Sequence, residues 1–201
     1  MPTRRLNDFK GDIARAKDIV GLGQSIVTMT NGLVNSDDLY RAALVQGVAA
    51  WDRYVHGVVL DRAVKIILGG MPAGKSSKVG LPLEAVAQLM NAPGQAEREL
   101  AAKSFFAERL SKETFQRPDD VAAGLAMVGV NAIWSTAFPS AEQAKVRLGV
   151  IVDRRNRIVH HCDCDPVLPG AVVPLTASDA LDALQVVGET VMAIDPLCIC
   201  D

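Results

Sequence analysis

Between Ser36 and Gly69 the apolar residues fall three and four apart: Tyr40, Ala43, Leu44, Gly47, Val48, Trp51, Val55, Val58, Val59 and Ile66. That spacing places them on one face of a single long helix. Ser36 with Asp37 and Asp38 gives it a capping start, and Gly69 an end. Few windows elsewhere show the strict two-residue alternation of a half-buried strand. The expectation is therefore an all-α fold, an antiparallel helical bundle in which long neighbours are joined by short loops.

The rest of the chain reads the same way. A first amphipathic helix is expected over residues 8–30, with Gly21 and Gly23 weakening its middle. After the loop GGMPAGKSSKVG come LPLEAVAQLMN, a helix over about 95–113 and one over about 118–136, whose start Asp119 and Asp120 favour. Pro139 and Ser140 open a further helix, and CDCDPVLPGAVVPL, with its prolines, is the loop that closes it. Ser178 begins a last helix to about Ile194. The organisation expected is an N-terminal helical extension over 1–35 and a helical domain over 36–201. A chain of 201 residues suffices to bury one real core.

Composition narrows the function. Charged residues are 22% of the chain and the net charge is −2, so there is no global pull on nucleic acid, and any such role must come from a local patch. No segment has the apolar length of a membrane span, and MPTRRLNDFKGD has no apolar core behind its arginines. A cytoplasmic location without a membrane partner is the expectation. Reduced thiols follow from that for Cys162, Cys164, Cys198 and Cys200. Their two C-x-C pairs lack the usual structural zinc spacing, so no metal and no cofactor are expected.

The helix opened by Ser140 carries the chemistry. Its apolar stripe runs Leu148, Ile151, Val152, Ile158, Val159 and Cys162, and position 155, on the same stripe, is an arginine. A guanidinium on a core-facing stripe is costly unless it is paired or faces a cleft. Asn156 and His160 are four apart and share a face beside it. Two readings stand here. In one, Arg155 is a buried structural arginine paired with an acid such as Asp52. In the other, Arg155, Asn156 and His160 form a polar site along a cleft.

Residues 155–160, RNRIVH, read R-N-x-x-x-H. This resembles the R-x4-6-H motif of the HEPN superfamily, in which a polar residue follows the arginine. RRNRIVHHCDCDP is similar to the RRNxIxH…D.DP segment of the ribonuclease-like HEPN proteins of prokaryotic defence and toxin–antitoxin loci. RAALVQGVAAWDRYVHGVV, residues 41–59, resembles the long first core helix of that group, and the likeness spans roughly residues 36–195.

The resemblance implies a metal-independent endoribonuclease. The ribose 2′-hydroxyl attacks the adjacent phosphate and leaves a 2′,3′-cyclic phosphate. His160 would act as general base or acid, Arg155 would hold the phosphate oxygens, and Asn156 would orient the histidine or the phosphate by hydrogen bonds. His161, and Asp52 with His56 on the earlier helix, would be auxiliary groups. Arg147, Arg154 and Arg157 would add a local RNA-binding patch, read otherwise as solvated arginines. The resemblance also implies a homodimer with a composite site, and an antitoxin or defence-system partner. Members silenced by adenylylation carry a tyrosine two residues after the motif histidine. Cys162 stands there, so that route of control is not implied. Such bundles also occur as non-catalytic dimerisation or RNA-binding modules, which is the alternative.

A third reading competes. GGMPAGKS, residues 69–76, matches the phosphate-loop pattern G-x-x-x-x-G-K-[ST] through Gly69, Gly74, Lys75 and Ser76, and LGVIVD would supply Asp153 on a following strand. The pattern needs a strand before it and a helix after it. DRAVKIIL instead continues the long helical stripe, and Gly80 and Pro82 break the segment that follows. A nucleotide hydrolase is thus the weaker alternative.

Overall fold

The computed structural model describes residues 3–74, 80–165, 167–168 and 170–199. Eight helices and no strand occur among them: α1 (Arg4–Met29), α2 (Asp37–Ile67), α3 (Leu83–Asn91), α4 (Gln95–Leu110), α5 (Pro118–Met127), α6 (Ile133–Ala137), α7 (Ala141–His161) and α8 (Ala177–Cys198). The chain is all-α, as the hydrophobic period requires.

α2 is the axis of the molecule. The expected stripe is buried along most of its length, with Trp51, Val55 and Val59 fully enclosed, while Ile66 is half-buried. Burial also extends to Ala50, Tyr54, Gly57 and Ala63, off the stripe, because α1, α4, α5, α7 and α8 all pack against this one helix. Two arginines, Arg41 and Arg62, are buried along it.

α1 starts earlier than its apolar residues suggest. Thr3 caps it, its Oγ1 accepting from the Leu6 amide at 3.1 Å. It then runs unbroken through Gly21 and Gly23. A Cβ at Gly23 would stand 2.6 Å from Tyr40 Cε1, so the bare backbone there is what lets α1 lie against α2. The pairs Arg5–Asp61 and Asp12–Arg53 show the two helices to be antiparallel. Leu6, Phe9, Ile13, Ala16 and Val20 of α1 are buried in the same core as α2 and α8, so the boundary drawn at residue 35 separates no second core.

The helix expected over 118–136 is two. Gly129 (φ 84°) turns the chain after α5, with the Val130 amide donating to the Leu125 carbonyl at 3.0 Å. This is a glycine-terminated helix end, and buried Val128 and Val130 flank it. α8 opens with a capping box, Thr176 and Asp179 each bonding the other's backbone, and continues to Cys198, past the expected end. No described helix is long and apolar enough to cross a membrane.

Candidate functional site

Ser140 caps α7, its Oγ accepting from the Gln143 amide at 3.4 Å. Leu148, Ile151 and Val152 then anchor the helix in the core. The apolar stripe does not stay there. Arg155 and Ile158 are half-buried, and Val159 and Cys162 are exposed. The second half of α7 climbs out of the core, and Arg155 sits where it leaves.

Arg155 Nη1 donates to Asn156 Oδ1 at 3.0 Å, while its Nε is buried without a hydrogen-bond partner. Asp52 is not its counterion. The Asp52 carboxylate accepts from the Phe115 amide at 2.7 Å and the Gln116 side-chain amide at 3.3 Å, and lies 3.3 Å from His56 Nδ1. Among the described residues Asn156 makes no bond to His160; its oxygen is spent on Arg155. His160 and His161 are exposed, and neither side chain makes a hydrogen bond or ion pair among the described residues. The structure therefore brings Arg155 and Asn156 together and leaves His160 open to solvent about one turn further on.

The histidine on α2 is of another kind. Its Nδ1 faces the Asp52 carbonyl at 2.9 Å and its Nε2 the Leu110 carbonyl at 3.2 Å. Burial alone would lower its pKa, but the Asp52 carboxylate and carbonyl and the Leu110 carbonyl together push it up to about 9. Burial likewise works to raise the Asp52 pKa, yet His56, the Phe115 amide and Gln116 hold it below the usual carboxylate value. Asp52 and His56 thus clasp the α4–α5 connection, and among the described residues neither bonds Arg155 or His160.

The expected basic patch is also rearranged. Arg154 turns inward: its Nη2 donates to Asp163 Oδ2 at 2.7 Å, to the Val173 carbonyl at 2.9 Å and to the Pro174 carbonyl at 3.1 Å. Its side chain is only 16% exposed, drawn in from the solvated position expected of it. Arg157 Nε lies 3.7 Å from Asp163 Oδ1, and Arg147 lies 3.6 Å from Glu189 with 60% of its side chain exposed. Only Arg147 keeps a mainly solvent-facing side chain.

Sequence reasoning missed the centre of this arrangement, Asp163, which has no exposed surface. Arg41 of α2 reaches it through Nε at 3.0 Å, and also holds Asp38 and the Val173 carbonyl. Burial works to lower the Arg41 pKa, but Asp163 and Asp38 outweigh it and the net shift is upward. Two hints stand in the sequence: Asp163 fills the first acidic position of the D.DP segment, and Arg41 lies between the stripe residues Tyr40 and Ala43.

Cys162 and Cys164 carry exposed free thiols, Cys198 is buried, and Cys200 lies outside the described residues. Among the described residues no group of three histidine, cysteine or acidic side chains is placed to hold a metal. The segment before the phosphate-loop pattern is helical to Ile67, and Asp153 lies within α7, paired with Arg117 at 2.8 Å. Neither strand that pattern requires is present. Lys75 and Ser76 lie outside the described residues. No protein-family model, curated protein or solved structure matches this chain.

Proposed function

We propose that the chain is a metal-independent endoribonuclease of the HEPN type, acting as a homodimer in a toxin–antitoxin or anti-phage setting. The observation that carries this reading is the exposed His160 beyond the Arg155–Asn156 pair, on the half of α7 that has left the core. A solvent-facing imidazole with no internal partner serves no packing purpose. A half-buried guanidinium with a buried, unused Nε is an incomplete donor set.

The chemistry follows from those groups. His160 takes the proton of a ribose 2′-hydroxyl, and the 2′ oxygen forms a bond to the adjacent phosphorus. The bond from phosphorus to the 5′ oxygen breaks, and that oxygen leaves with a proton from a general acid. His160 of a second copy would supply it if the two α7 helices face each other. Arg155 neutralises the charge developing on the non-bridging oxygens, and a planar fork of donors suits that task. Asn156 keeps the fork oriented through the 3.0 Å bond.

The test is incubation of a mixed RNA pool with the purified protein in EDTA, alongside His160→Ala. Cleavage by the wild type alone, leaving cyclic phosphate ends, is the expected result. RNA that is bound and left intact would replace the nuclease with a binding module.

A further inference from the structure

The turn that ends α7 holds two successive non-glycine residues in the left-handed region, Cys162 (φ 49°) and Asp163 (φ 56°). L-residues rarely adopt that conformation, and a pair of them persists only where the surroundings over-determine it. Here they do. The Cys162 and Asp163 amides both donate to the Arg157 carbonyl, the latter at 3.1 Å, and the Asp163 carbonyl accepts from the Val173 amide at 3.0 Å. The Asp163 side chain, fully enclosed, takes Arg154 from the same helix and Arg41 from α2, a residue 122 positions away. Both arginines donate to the Val173 carbonyl as well. The start of α2, the end of α7 and the loop before α8 are thereby tied into one knot around a single carboxylate.

The knot leaves one acceptor and one donor unused. Asp163 Oδ1 and Arg154 Nε are buried and make no hydrogen bond, while Arg157 stands 3.7 Å off. A carboxylate removed from water is stable only beside such cations. It is an internal anion in the kind of arginine setting that would otherwise receive a phosphate.

We propose that Asp163 is a positioning residue for the R-N-x-x-x-H site: its buried carboxylate fixes the left-handed exit of α7, and with it the direction of His160, and holds Arg154 turned inward, away from bound RNA. The proposal rests on the nuclease reading above, but part of its test does not need cleavage.

Amide hydrogen exchange comes first, on the wild type and Asp163→Asn. The amides of residues 158–162 are expected to exchange at least about tenfold faster in the variant, with those in the middle of α8 unchanged. Equal protection in the two proteins overturns the proposal, whatever the enzyme does. Kinetics come second. Asp163→Asn lowers kcat at least about tenfold without raising KM, because the histidine is misaligned while Arg154 is released. In a His160→Ala background, which leaves RNA uncut, adding Asp163→Asn preserves or tightens RNA binding. It also steepens the salt dependence by about one log unit per log of salt for each further phosphate that the released arginine neutralises. An unchanged kcat, or a loss of RNA binding in step with kcat, overturns it. If Asp163→Asn does not fold, Arg154→Gln is measured in the same exchange and kcat assays, since it removes the 2.7 Å bond and leaves Arg41 on Asp163. A wild type that cuts no RNA removes the nuclease reading, and the claim on the turn then stands or falls on exchange alone.

Discussion

The two histidines at positions 160 and 56 show how differently one residue type is used in a single chain. His160 is exposed and bonds nothing among the described residues, so its loss costs the fold little. His160→Ala should lower cleavage by about 10²–10⁴-fold, the usual contribution of a positioned acid or base. Its melting temperature should stay at the wild-type value; a variant that still cuts removes His160 from the mechanism. His56 has acceptors at both ring nitrogens and is held as the cation, with its pKa up at about 9. An unfolded histidine titrates near pH 6.5. The folded value is the higher one, so the stabilisation is complete below about pH 6.5 and is lost as pH rises through about 9. The loss is of the order of 2 kcal/mol. Urea midpoints at pH 6 and pH 9.5 should differ by more in the wild type than in His56→Gln; equal differences would remove the clasp. In the sequence each lies on a helix four residues after a polar side chain, Asp52 before His56 and Asn156 before His160. Burial and partners from another helix separate them.

Among the elements, α1 makes the sharpest prediction. Gly21 and Gly23 look alike in the sequence, two weak points in one helix. A Cβ at Gly21 meets nothing within 4 Å, while one at Gly23 runs into the Tyr40 ring. Gly21→Ala should stabilise by about 0.5–1 kcal/mol through helix propensity. Gly23→Ala should destabilise by about 1–3 kcal/mol, because a buried aromatic ring must move. Chemical denaturation of the two variants side by side decides it, and a stabilised Gly23→Ala would mean that the helices are not in that contact. The start of α1 is pinned in a comparable way. The Thr3 amide donates to Asp195 Oδ2 at 3.2 Å and the Tyr54 hydroxyl to Asp195 Oδ1 at 2.9 Å. Asp195 is buried, and burial together with the neighbouring Cys198 and Asp195 raises the Tyr54 pKa far above its ordinary value. Asp195→Ala leaves Tyr54 and the α1 cap without that acceptor. It should cost about 1–3 kcal/mol, and loosen α1 first in amide exchange. Helix existence was legible from period and caps. The break at Gly129 was not, because MVGVNA keeps an apolar rhythm through the turn.

At the scale of the whole molecule, the helices wrap α2 and leave an outer face on α7. Val146 and Val150 on that face are 57% and 64% exposed. Under the homodimer reading this surface meets a second copy, so light scattering should find two chains. Val150→Glu should give monomers, with cleavage falling alongside. A wild-type monomer that cuts RNA would remove the composite site. Lys75→Ala should leave cleavage unchanged, since the nuclease reading gives residues 69–76 no part in the chemistry.

The sequence by itself determined the helical class, the long central helix and the placing of Arg155, Asn156 and His160 on one late helix. Those are local matters of period and spacing, in which each residue's neighbours lie within two turns. Only the tertiary structure decided which charges meet. Arg154 looked solvent-bound and is half-buried against Asp163 with Arg41, and Asp52 looked like a partner for Arg155 and instead holds Phe115, Gln116 and His56. A charge is stabilised by whatever lies beside it once water has been removed. That depends on how helices far apart in the chain cross, which no single helix's period encodes.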